Sequence, residues 1–79
     1  MNTINWPDYI SINLGVMMGK PVIKNTRIPV DLIVEKLAFG ESVEEILLDY
    51  PHINAEAVSA CLHYVTYSLR NEIYHELAS

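Results

Sequence analysis

Seventy-nine residues are enough for one small domain, and a chain of this size hides only roughly two thirds of its unfolded surface. Hydrophobic residues make up 51% of it, more than one such core can bury, so part of the apolar material is expected in an interface and the protein is expected to form a homodimer. One cysteine cannot make an internal disulfide, no run approaches the ~18 apolar residues of a membrane span, and the first residues lack the basic start and apolar run of a signal peptide, so a cytoplasmic protein is expected.

The chain is expected to be a single domain over residues 1–79, with a β arm or hairpin over 1–29 and a helical body over 30–79. Within the arm, Gly19 and Asn25 are residue types that accept positive φ, and the short apolar runs beside them predict the strands of a small hairpin. Lys20, Lys24 and Arg27 share this stiff element. Residues 1–30 carry one acid, Asp8, against those three cations, for a net +2, whereas residues 31–79 carry nine acids against Lys36 and Arg70, for a net −7. The formal charge of −5 is therefore divided between a basic arm and an acidic body, a pattern that fits either a two-faced molecule or a merely solvated surface.

The body is punctuated clearly. After Pro29, Val30, Ile33, Val34 and Leu37 recur at helical spacing until Gly40, predicting a first helix over 31–39. Ser42 opens a capping box with Glu45, and Val43, Ile46, Leu47 and Tyr50 form the apolar face of a second helix that Pro51 ends. Asn54 is a natural N-cap for a third, with Glu56 in its positive first turn. No glycine or proline interrupts residues 55–79, and Val58, Cys61, Leu62, Val65 and Leu69 are the expected inner stripe, which Ile73 and Leu77 extend. Cys61 on that stripe is expected to be a small buried hydrophobe. The order is β arm, helix, helix, tight turn and long C-terminal helix. Two helices joined by a turn of about four residues after a packing helix are the parts of a mainly α, helix-turn-helix domain, although other three-helix bundles share them.

The blocks Gly19-Lys20-Pro21-Val22-Ile23, Thr26-Arg27-Ile28-Pro29-Val30, Gly40-Glu41-Ser42-Val43-Glu44-Glu45-Ile46 and Asp49-Tyr50-Pro51 together resemble the domain-of-unknown-function family 433, from about Ile10 to about Tyr67. Where that family usually has glycine before Thr-Arg, this chain has Asn25, which tolerates the left-handed conformation less readily. The resemblance implies a homeodomain-like or winged-helix-like fold and a VapB-type antitoxin. Such a protein neutralises a PIN-like ribonuclease toxin encoded beside it and represses their operon. Lys20 and Arg27 fall on recurrent basic positions of the family, whereas the segment after Arg70 lies outside the shared region.

Operator DNA, if bound, is expected to meet Lys20, Lys24 and Arg27 through phosphates and Asn54, Ser59 and His63 on the third helix through bases. The structural alternative for Arg27, four positions before Asp31, is to brace the first helix. The expected partner-binding segment is the apolar C-terminal stretch, Leu69, Ile73, Tyr74 and Leu77. Beside it Arg70 is placed to reach the metal-binding carboxylates of a PIN-like site, while the plainer role of this tail is dimerisation. An adaptor that binds protein but not DNA is the competing reading. Catalysis is not expected and no cofactor is implied: His52, His63 and His75 match no zinc spacing, and Glu35, Glu41 and Asp49 are expected on solvated faces.

Overall fold

The computed structural model describes residues 4–78, with side chains as far as Asn71. Two single-turn 3-10 segments, Trp6–Asp8 and Met17–Gly19, and two short strands, β1 (Ile10–Ser11) and β2 (Val22–Ile23), precede α1 (Val30–Ala38), α2 (Val43–Asp49) and α3 (Ala55–Ala78). The architecture is mainly helical, three helices with a small antiparallel hairpin, as the punctuation predicts.

The hairpin is wider than the basic stretch. Its strands pair as Ile10↔Ile23 and Ser11↔Val22, so β2 reaches back across a long loop, and its other edge holds a single bridge, Val22↔Pro29. The turn between those last two runs is tightly made: Asn25 sits at φ 63, the Thr26 hydroxyl donates to Ile23 O at 2.7 Å, and the same Oγ1 accepts from Ile28 N–H at 3.0 Å. Asparagine thus takes the left-handed position where a glycine would be easiest. The long loop contains something the sequence reading did not anticipate. Met17 (φ 49) and Met18 (φ 57) join Gly19 (φ 83) in a run of three left-handed residues, closed by Gly19 N–H to Val16 O and Lys20 N–H to Met17 O, both at 3.1 Å.

Each helix begins and ends for a local reason. After α1, Gly40 at φ 95 allows its N–H to reach Leu37 O at 3.0 Å and Glu41 N–H to reach Lys36 O at 3.1 Å, which satisfies two carbonyls the helix leaves open. The Ser42/Glu45 capping box is complete, with Ser42 N–H donating to Glu45 Oε1 at 2.9 Å and Glu45 N–H donating to Ser42 Oγ at 3.1 Å. The bonds from the Ser42 backbone and hydroxyl hold the Glu45 carboxyl below its ordinary value. Ala57 N–H donates to Asn54 Oδ1 at 2.9 Å and so caps α3. Lys36 ties the end of α1 to α2: its Nζ lies 3.2 Å from Glu41 and 3.8 Å from Asp49, and 5.8 Å from the centre of the Tyr50 ring. The hydrogen bond to Glu41 raises the Lys36 pKa above its ordinary value. Glu41 and Asp49 are thus ion-pair partners, where purely solvated positions were expected.

The core gathers Ile10 and Ile23 of the hairpin, Val30 and Ile33 of α1, Ile46 of α2, Ile53 of the α2–α3 turn, and Ala57, Val58, Ala60 and Cys61 of α3. Burying each isoleucine contributes about 1.5–3 kcal/mol. The stripe of α3 differs from the expected one. Leu62 is 44% exposed and Leu69 54% exposed, while Ala57 and Ala60 face the core. The reason is geometric: alanines let the hairpin and α1 approach the α3 backbone closely, and Tyr64 and Val65 continue that packed side. No helix among the described residues is long and apolar enough to cross a membrane.

Candidate nucleic-acid and partner surfaces

The three cations of the arm serve different neighbourhoods. Lys20 Nζ lies 3.2 Å from Asp31 Oδ2, across an exposed gap between the loop and the first turn of α1. This is the bracing role weighed for Arg27, filled by a different residue. Lys24 lines a cavity of about 220 Å³ with Asp8, Tyr9, Thr26, His52 and Asn54, where the Asn25 turn meets the turn between α2 and α3. Arg27 lines the neighbouring groove, of about 540 Å³, with Ser11, Val16 and Val22; Asn25 and Thr26 belong to both. Neither Lys24 nor Arg27 makes an ion pair among the described residues.

The third helix contributes less to this region than its sequence promised. Asn54 lines the Lys24 cavity, but its Oδ1 is already occupied by the Ala57 amide. Ser59 is half-buried, and His63 is exposed on a different groove. Of the six residues considered for nucleic acid, Lys24 and Asn54 are brought together, Arg27 lies next to them, and Lys20, Ser59 and His63 lie elsewhere.

The groove that contains His63 is shallow, has a volume of about 650 Å³, and is lined by Trp6, Leu62, Thr66, Tyr67, Arg70 and Asn71 as well. Trp6 had no role in the sequence reading. Its ring meets Tyr64 edge-on at 4.9 Å between centroids and Tyr67 at 5.2 Å, so the segment before the hairpin is fastened to α3 by aromatic contacts. The available signal was the i, i+3 pair Tyr64 and Tyr67, which can hold a third ring between them. Two polar groups of this groove are spent on the helix itself: Thr66 Oγ1 donates to Leu62 O at 3.0 Å and Asn71 Nδ2 to Tyr67 O at 2.8 Å. Beside these, the groove presents apolar and aromatic surface from Trp6, Leu62 and Tyr67, with His63, Arg70 and the Asn71 carboxamide oxygen between.

Of the expected partner-binding residues, Leu69 and Arg70 are exposed. The side chains of Ile73, Tyr74 and Leu77 lie outside the described residues. Further apolar side chains stand open on the β1–β2 loop, where Leu14 is 89% and Met18 94% exposed, and at Phe39 and Leu48. Cys61 is fully buried, and that burial pushes its thiol up to about 11, so it is packing material and a poor nucleophile. Among the described residues no group of three or more His, Cys, Asp or Glu side chains is placed to hold a metal ion.

Comparison with known proteins gives two positive results. The family model described as "Protein of unknown function (DUF433)" matches residues 10–65. A crystal structure of a DUF433 member protein from Anabaena variabilis ATCC 29413 is 38% identical in sequence and superposes with a TM-score of 0.72, covering 89% of this chain and 68% of that one. No curated protein matches. The chain belongs to the DUF433 family.

Proposed function

We propose that this DUF433 protein is the antitoxin of a toxin–antitoxin pair: a cytoplasmic homodimer that captures a PIN-like ribonuclease encoded beside it and binds the DNA of their shared operon. The observation that carries the reading is the apolar surface of α3. Leu62, Tyr67 and Leu69 stand outside a closed core in a chain of formal charge −5. A ribonuclease needs positive surface for RNA, so an acidic body with an apolar contact helix complements it in charge and in hydrophobicity. The VapB-type resemblance supports the same assignment.

Operator binding falls to Lys24 and Arg27, beside the start of α3. Because Lys20 is engaged by Asp31, a dimer has about four phosphate contacts to offer, and log affinity against log salt should fall with a slope near −3.5. An adaptor that binds only protein is the second reading, favoured by that Lys20–Asp31 pair and by the acidic balance of the body. A mobility-shift experiment on the upstream DNA separates the two: a shift that Lys24→Ala weakens supports the antitoxin-repressor, and no shift, with or without the neighbouring toxin, supports the adaptor.

Neutralisation is tested by co-expressing the neighbouring toxin with the full chain, with a chain ending at Tyr67, and with Arg70→Ala. Growth restored by the full chain and lost with the truncation assigns capture to the C-terminal stretch. Loss with Arg70→Ala as well, in a variant that still sediments as a dimer, implicates the guanidinium in capture, and continued toxicity beside the full chain would sink the antitoxin reading.

A further inference from the structure

On α3 the residues Glu56, Ser59, His63, Thr66 and Arg70 follow one another at intervals of three, four, three and four, the spacing of a helix seam. None of them belongs to the buried core, and exposed Leu62 and Leu69 flank the seam on one side, with Tyr67 on the other. The charged ends of the seam are placed symmetrically about His63, whereas Thr66 has no counterpart in it, the residue three positions before His63 being buried Ala60. Glu56 and Arg70 lie seven residues, two helical turns, to either side of it, and small Ser59 and bulky Tyr67 lie four residues to either side.

We infer that this face of α3 pairs with the same face of a second copy, antiparallel, about a two-fold axis passing at His63. In that arrangement Glu56 of each chain meets Arg70 of the other, and each Tyr67 ring lies over the partner's Ser59. The complement of the surface is the surface itself, which is the requirement of an isologous interface. A parallel pairing would set Glu56 against Glu56 and Arg70 against Arg70, so the charges choose the direction as well as the partner. The chemistry of the groove agrees: the Thr66 hydroxyl and one Asn71 amide hydrogen are bonded within the helix, and Trp6, Leu62 and Tyr67 give the groove aromatic and aliphatic surface that suits a packed helix. The inference rests on the homodimer in the proposed function and gives Tyr67 and Arg70 to the partner copy, so that toxin capture falls to Leu69 and the stretch after Arg70; it is independent of the operator.

The full chain tests it by sedimentation equilibrium. Glu56→Arg and Arg70→Glu should each weaken dimerisation about tenfold, because two exposed pairs turn from attractive to repulsive, and the double variant Glu56→Arg/Arg70→Glu should recover the original Kd. A cysteine on the axis faces itself, so His63→Cys should cross-link under mild oxidation to twice the 9.0 kDa chain mass, which buried Cys61 cannot do. A dimer whose Kd ignores both charge reversals, or whose double variant stays as weak as the single ones, overturns this interface and leaves the dimer standing. A chain that sediments at 9.0 kDa at micromolar concentration overturns both.

Discussion

Along α3, the face turned toward α1 and the hairpin is made of Ala57, Val58, Ala60 and Cys61, all essentially closed to solvent, while the face turned away carries Leu62, Tyr67 and Leu69 roughly half open. The larger apolar side chains are therefore outside and the smaller ones inside. Side-chain size and burial part company because the inner face is set by how near two backbones can come, and methyl groups permit the shortest approach. A leucine on the outer face is only half covered by its own domain, and the rest of its apolar area remains available to another molecule.

The difference is sharpest when side chains are cut back. Ile33, which packs into the inner side, should lose about 2–5 kcal/mol on Ile33→Ala, seen in urea as a lower midpoint at unchanged slope with protomer concentration fixed. Leu62→Ala, measured on dilute monomer, should cost no more than about 0.5 kcal/mol; equal losses at the two sites would erase the distinction between the faces. The next effect is read from pH. Burial raises the Cys61 thiol from its ordinary 9.0 to about 11, so above pH 9 the folded chain keeps a proton that the unfolded chain releases. The associated stability is complete below pH 9 and is lost as pH rises through about 11, a decline of roughly 2–3 kcal/mol that Cys61→Ala should lack when the two are titrated side by side. A smaller effect concerns the start of the helix that both faces share. Asn54→Ala removes the cap and should cost about 1 kcal/mol in thermal unfolding, with Asn54→Asp close to neutral.

The contrast between the faces also explains what could be read from the sequence. Gly40, the Ser42/Glu45 box and Asn54 act through bonds to residues within five positions, and Pro51 through the donor it lacks, so helix limits were legible to within a residue for α1 and the start of α3. Asn25 and Gly19 were legible for the same reason, since a backbone preference belongs to a single residue. The pairing of β2 with Ile10–Ser11 was not, because it closes over a ten-residue loop and depends on β2 lying between two neighbours. Trp6 has no local signal because its partners are about sixty residues away. On α3 the apolar residues occupy more than one face, so periodicity alone selected Leu62 and Leu69 over Ala57 and Ala60. For the candidate surfaces, the proximity of Lys24 to Asn54 follows from folding the arm against the α2–α3 turn, and the capture of Lys20 by Asp31 from the path of the long loop; neither is encoded locally.

That long loop makes an unusual demand at Met17 and Met18, L-residues in the conformation their mirror images prefer. Each bears a steric cost of about 1–2 kcal/mol between its Cβ and the next carbonyl oxygen, and with Met18 almost wholly in solvent, little packing of its own side chain offsets it. Stereochemical inversion at one atom is then a stabilising substitution. A chain assembled by chemical ligation with D-methionine at position 18 keeps every side chain of the natural protein and should melt a few degrees higher, whereas D-valine at Val58, inside a right-handed helix, should prevent folding.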